Sequence, residues 1–171
     1  MEENEEKNVN EILDIMKNSY NQYYQRSQTI DNKCGFLIAF HAAIIIFILD
    51  FEGIRALLQM QFYEIGKILF ASMQVILYFI IFILAIISIC LFIWNLKGRN
   101  IKYLPASICE DKYYKSRSID LKKELLKAYK EIAQNNEEVI EKKYRIYNIA
   151  SIITIIEIIL VGINSLLKIW I

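Results

Sequence analysis

Glu157 stands in the middle of a run built almost wholly of Ile, Leu, Val and Ala. If residues 146–167 cross a bilayer, its carboxylate sits at mid-depth, where an acid raises the insertion free energy by roughly 2.5–3.5 kcal/mol. A group at that depth faces a protein interior or water, rarely lipid. Its helical neighbours agree: Thr154 three residues before, Asn164 seven after and Lys168 eleven after fall on roughly the same face. Such a stripe could line a pore or seal an interface between subunits. The plainer alternative is a protonated Glu157 that hydrogen-bonds inside a helix bundle and fixes packing. His41, the one histidine, lies near the middle of another apolar run and so at similar depth. A contact between His41 and Glu157, within or between subunits, is expected from that depth match alone. A lone histidine on an apolar helix is more commonly a packed core residue. Glu157, Thr154, Asn164 and His41 are the candidates for a pore or gate.

No other set of residues points to a reaction. A Ser/His/Asp set, a credible metal cluster, a P-loop and a GxGxxG are missing from the sequence, so neither enzyme chemistry nor a cofactor is expected. The three cysteines, Cys34, Cys90 and Cys109, lack CxxC spacing, which indicates neither a disulfide framework nor zinc. A net charge of +1 predicts no general affinity for nucleic acid. The basic and aromatic patch with Lys112, Tyr113, Lys115 and Arg117 could meet an anionic ligand or lipid headgroups. A solvated charge run beside a membrane is the plainer reading of it.

The elements that must position these groups are long helices. The chain of 171 residues is 56% apolar, with one Pro and five Gly, and its apolar residues come in blocks. That pattern predicts an all-α integral membrane protein with three transmembrane helices, an N-terminal amphipathic helix and a long cytoplasmic helix continuous with the last span. In the N-terminal helix, 1–33, apolar or small residues recur at alternating intervals of four and three: Val9, Leu13, Met16, Tyr20, Tyr23, Ser27, Ile30 and Cys34. That is a heptad seam, for packing within the subunit or against another copy. The first span, 34–51, is short, and an external connection, 52–67, follows, in which 54–62 could lie along the interface. The second span, 68–94, carries no charge and ends on Trp94, an interfacial anchor beside Lys97 and Arg99. A cytoplasmic loop and long helix fill 95–146, irregular around Gly98 and Pro105, with a helix start near Ser118 or Asp120. The third span is 147–167. As one helix, 118–167 would be ~75 Å long, more than twice the ~30 Å hydrocarbon core.

Charge orients these spans. The first 33 residues hold four Lys and Arg, 97–145 holds thirteen, and the 50–67 connection holds two, with Lys168 completing the twenty. The positive-inside rule therefore puts the N-terminus and the long helix in the cytoplasm and the C-terminus outside. The first segment is acidic by three charges (seven against four) and 97–145 is basic by five (thirteen against eight). Docking of the N-terminal helix on the long helix is expected, although exposed ion pairs are each worth only ~0–1 kcal/mol.

Short words at both membrane entries carry a family likeness. Tyr24-Gln25-Arg26 and Asp31-Asn32-Lys33-Cys34-Gly35 stand at the mouth of the first span, and Lys143-Tyr144 with Ile149-Ala150 where the long helix re-enters. With the topology, these resemble the small membrane effectors of bacterial anti-phage signalling, the Pycsar-effector and SLATT-type transmembrane modules. The resemblance implies a homo-oligomer in the bacterial inner membrane that permeabilises or depolarises it on a nucleotide or phage-derived signal, arresting or killing the cell. It adds Arg26 to the ligand-binding candidates. No separate nucleotide-sensing domain is left to assign, so a cyclic nucleotide would meet the cytoplasmic helices directly, or a cytosolic sensor partner would. Two other readings stay open: a non-conducting anchor that recruits a cytosolic partner, and a small ion- or proton-coupled transporter or immunity protein.

Overall fold

The computed structural model describes three α-helices and the short irregular segment 101–104. The helices are α1, Glu2–Ile48, α2, Ile65–Lys97, and α3, Ser118–Leu167. All three are long and apolar enough to cross a membrane, and no strand occurs among the described residues. The expected connection at 52–64, the patch with Lys112, Tyr113, Lys115 and Arg117, and Lys168 lie outside the described residues. The first span and the N-terminal helix are one element: α1 runs on through the boundary at Lys33 without a break. Nothing in its sequence stops it, since Gly35 is isolated and no proline intervenes.

Each helix buries one narrow stripe with a seven-residue repeat. On α2 the buried residues are Ala71, Gln74, Tyr78, Ile81, Ala85, Ser88, Phe92 and Asn95, at intervals that alternate three and four without exception. On α1, Val9, Ser27, Ile30, Cys34 and His41 are buried, so the seam seen from Val9 to Cys34 continues to the histidine. On α3, Asn136, Lys143, Ala150, Glu157 and Asn164 are buried at successive seven-residue steps. A strict seven-residue repeat keeps a straight α-helix facing its neighbours only if the helices coil left-handed around one another, at 3.5 residues per turn.

The chain divides into two compact units, to both of which α1 and α3 contribute. Unit 1 comprises Met1–Asp31 and Gly98–Tyr144. Here the first part of α1 packs on the first part of α3, running parallel to it. Tyr20 meets Tyr129 edge-to-face at 5.8 Å, and Lys143 Nζ donates to both Asp31 oxygens at 2.9 Å and to Ser27 Oγ at 3.1 Å. Asn136 ties the 101–104 segment to α3, accepting from the Lys102 N–H at 2.9 Å and donating to its carbonyl at 3.2 Å. The N-terminal helix therefore docks on the long helix, but the charge totals are a poor account of why. One buried lysine and a row of tyrosines make the contact, while Lys142 and Glu138 pair at 3.7 Å on the outside of α3 alone.

Unit 2 comprises Asn32–Lys97 and Arg145–Ile171. Its contacts order the helices: Asn95 meets Cys34, Phe92 meets His41 and Tyr147, and Tyr78 and Ile81 pack with Ile44, Leu160 and Val161. Going up α1 and α3 means going down α2, so α2 is antiparallel to two parallel neighbours. The outer faces are apolar: Ile76, Phe79, Ile83, Ile152, Ile155 and Ile159 are all at least half exposed. The inner face holds Gln74, Ser88, Asn95, His41, Thr154, Glu157 and Asn164. This inverts the distribution of a protein folded in water. It suits a surround of lipid tails, in which helices associate through small residues and polar contacts.

Candidate functional site

The seven-residue repeats of α1 and α3 bring His41 and Glu157 face to face inside unit 2. His41 Nε2 lies 2.9 Å from Glu157 Oε2, and both side chains are wholly buried. The contact expected from depth alone is present, and it forms within one chain. Thr154, one turn before the acid on the same stripe, completes the group.

The hydrogen-bond partners limit where the protons can be. His41 Nδ1 lies 2.6 Å from the Leu37 carbonyl, an acceptor only, so Nδ1 carries a hydrogen. The Thr154 hydroxyl gives its one hydrogen to the Ala150 carbonyl at 2.9 Å, and its oxygen faces Nε2 at 3.3 Å as an acceptor. Nε2 therefore looks at two oxygens. A bare Nε2 lone pair against a bare carboxylate would be repulsive, so the pair carries one proton, on the ring or on the carboxyl, across this 2.9 Å approach. With that proton on nitrogen the pair is imidazolium and carboxylate; with it on oxygen the pair is neutral imidazole and carboxylic acid. Both arrangements have no net charge, which is how an acid is tolerated at this depth. Neither Glu157 oxygen makes a hydrogen bond of regular geometry among the described residues: Oε2 has the close approach of His41, and Oε1 has no polar neighbour described.

Aromatic rings lie beside His41. Phe92 of α2 lies 5.7 Å from the His41 ring, centre to centre, and Tyr147 of α3 lies 6.3 Å from Phe92. Asn95, one turn beyond Phe92, donates to Cys34 Sγ at 3.4 Å. Asn164 is buried on the same stripe as Glu157, two turns further along α3, and does not touch the pair; its Oδ1 has no partner among the described residues.

Three polar members of the interior escaped sequence reasoning: Gln74, Ser88 and Asn95, all on α2. The signal lies in the sequence, since 74, 88 and 95 differ by multiples of seven, but uncharged side chains in an apolar run stand out far less than a charge does. The same register links Asn136 and Lys143 to Glu157 and Asn164 on α3. Arg26 is exposed on α1 in unit 1. A groove of about 430 Å³ in unit 2, lined by Asn32, Lys33, Phe36, Leu37 and Tyr147, has one charged residue at its rim and apolar walls. Among the described residues no three His, Cys, Asp or Glu side chains gather to hold a metal.

Comparison of the chain with known protein families, with curated proteins and with solved structures finds no match.

Proposed function

We propose that this protein is a conditional permeabiliser of the bacterial inner membrane. It lies with its N-terminus in the cytoplasm and its C-terminus outside, assembles with copies of itself, and depolarises the membrane when a nucleotide or phage-derived signal arrives. It works as an effector rather than an enzyme. The observation that carries this reading is the polar interior of unit 2, where the wholly buried His41–Glu157 pair faces inward beneath an apolar exterior. A bundle that served only as an anchor would be simpler and more stable with aliphatic residues at these positions. Intramembrane ionisable groups that face a bundle interior mark ion pathways and proton relays among their functional roles.

Two further features support the reading. The docked pair of helices in unit 1 leaves Ile12 and Ile15 exposed, a surface for a second copy or a cytosolic sensor partner. Lys143 and Glu157 lie on the same helix, α3, two seven-residue repeats apart. The test is membrane potential in cells on induction, with and without phage challenge, for the natural sequence and for Glu157→Leu. Depolarisation that Glu157→Leu alters without preventing insertion is expected. No depolarisation under either condition, or a cytosolic partner recovered with no leak, refutes the proposal.

A further inference from the structure

From the interior of unit 2 we infer that the species carried is the proton, and that it passes through the three-helix bundle of a single chain. The inference deepens the function proposed above and rests on it for its setting, but it has its own evidence and its own test.

The polar groups form a line. On α2, Gln74, Ile81, Ser88 and Asn95 occupy one position of the seven-residue repeat, and three of the four are polar. From Gln74 to Asn95 is 21 residues, a rise of ~31 Å, matching the ~30 Å hydrocarbon core. Gln74 Nε2, Ser88 Oγ, Asn95 Oδ1, Glu157 Oε1 and Asn164 Oδ1 are all buried with no hydrogen-bond partner among the described residues. Buried polar atoms in native proteins are rarely left so; internal water meets those that protein does not. Packing closes these atoms to water in the state described, so they mark where single waters enter when the bundle opens, and they fall on both sides of the His41–Glu157 pair.

The bundle is too full for anything larger. Phe92, Ile81, His41, Gln74, Glu157 and Asn95 are all under 2% exposed, leaving no lumen for a hydrated metal ion. A proton needs only single waters and groups that exchange it. A proton accepted from water at Glu157 Oε1 forms an O–H bond there and leaves the pair holding two protons and one positive charge. Loss of one of those two protons to water entering on the other side breaks its bond to the pair and returns the pair to one proton and no net charge. Rotation of the carboxyl about its terminal bond then restores the starting arrangement. One proton has entered and one has left.

Ile81 is where the line is interrupted. It is the single aliphatic member of the α2 series, wholly buried, and it packs with Tyr78, Ile44, Leu160 and Val161. This apolar layer closes the path in the state described. No charged side chain other than His41 and Glu157 is buried in unit 2 among the described residues; from α1, α2 and α3 the titratable groups nearest along the interior are Cys34, Tyr78 and Tyr147.

The experiment uses the full chain in liposomes with a pH-reporting dye inside, a potassium gradient and valinomycin to set the potential, and potassium leak without valinomycin as the parallel reading. Ile81→Ser completes the polar series and should admit protons faster than the natural sequence, with potassium leak at the level of empty vesicles. Glu157→Gln, alone or combined with Ile81→Ser, should lower proton flux by roughly 10²-fold, the scale of a positioned acid–base group, or to the level of empty vesicles. Ser88→Ala removes only an unpaired hydroxyl and should leave folding intact while slowing the flux severalfold; it decides the matter if Glu157→Gln fails to fold. Proton flux at the empty-vesicle level in both the natural sequence and Ile81→Ser overturns the inference, as does flux indifferent to Glu157→Gln and Ser88→Ala. Potassium leak with no proton flux overturns it too, but leaves membrane permeabilisation standing. Proton flux in vesicles without depolarisation in cells does the reverse.

Discussion

The contact between Lys143 and Asp31 makes an unequal prediction for its two halves. Lys143 is 5% exposed and all three of its ammonium hydrogens are engaged, two by Asp31 and one by Ser27; Asp31 is 35% exposed. Asp31→Ala strands a buried cation with only a hydroxyl to meet it. Breaking a buried pair this way costs about 3–5 kcal/mol, and the surviving Ser27 bond argues for the lower figure. Lys143→Met replaces the stem with an apolar chain of similar length and leaves a carboxylate that water can reach, a loss of about 1 kcal/mol. In the Lys143→Met background, Asp31→Ala should cost almost nothing more, so the coupling approaches 3 kcal/mol. The assay is hydrogen exchange of the amides in 9–31, which reports local opening of α1 from α3. At 1.4 kcal/mol per factor of ten, Asp31→Ala should lower protection roughly a hundredfold and Lys143→Met severalfold. If Lys143→Met proves the worse of the two, or the double variant equals the sum of the singles, the contact is an ordinary surface ion pair and the reasoning fails.

Other outcomes follow from the same geometry. Asn136→Ala removes both bonds to the Lys102 backbone and should free the 101–104 segment, seen as faster exchange of the Lys102 amide with α3 itself still protected. Burial, reinforced by Tyr103 and Tyr129 and opposed by a bond from the Leu104 backbone, raises the Tyr20 phenol above its ordinary 10.0. A raised acid favours the fold fully below the unfolded value and loses that contribution as pH climbs through the folded one. Unit 1 should therefore loosen above about pH 10, and Tyr20→Phe should remove that part of the alkaline loss in a pH series of exchange rates. His41→Ala and Glu157→Gln, which each break the same contact, should together impair assembly or toxicity by less than the sum of their separate effects; strict additivity would show that the two residues act apart.

The helices were legible in the sequence because blocks of aliphatic residues with no proline state their own lengths. The seam from Val9 to Cys34 was legible for a similar reason: in an otherwise polar segment, apolar residues at intervals of three and four stand out. In the spans the contrast reverses. When almost every residue is aliphatic, the informative members are the few polar ones, and Glu157 and His41 were conspicuous because a charge at mid-depth is costly. Gln74, Ser88 and Asn95 carry no charge and cost less, so their common register passed unnoticed. That Glu157 would meet His41 in the same chain, and not in a second copy, could not be read from depth. It depends on the rotation of α1 and α3 about their axes, which the seven-residue register sets only once it is traced through the boundary at Lys33 and from Asn136 to Asn164.

That register has a consequence for how the bundle holds together. Lipid tails are as apolar as the Ile side chains that face them, so burying aliphatic surface between spans contributes little, and close approach at small residues with polar contacts must supply the rest. In unit 2 the buried small residues include Ala71, Ala85 and Ala150, and the polar contacts include His41–Glu157, His41–Thr154 and Asn95–Cys34. The groups proposed to move protons are therefore also among the few that hold the spans together. A proton added to Glu157 weakens the attraction that joins α1 to α3, and a shift of α3 pulls on the pair that binds the proton. Conduction and assembly cannot be independent in such a bundle. Variants at Glu157 that fail to conduct should also bind α1 less tightly, whereas Ser88→Ala, which removes no contact, should affect conduction alone.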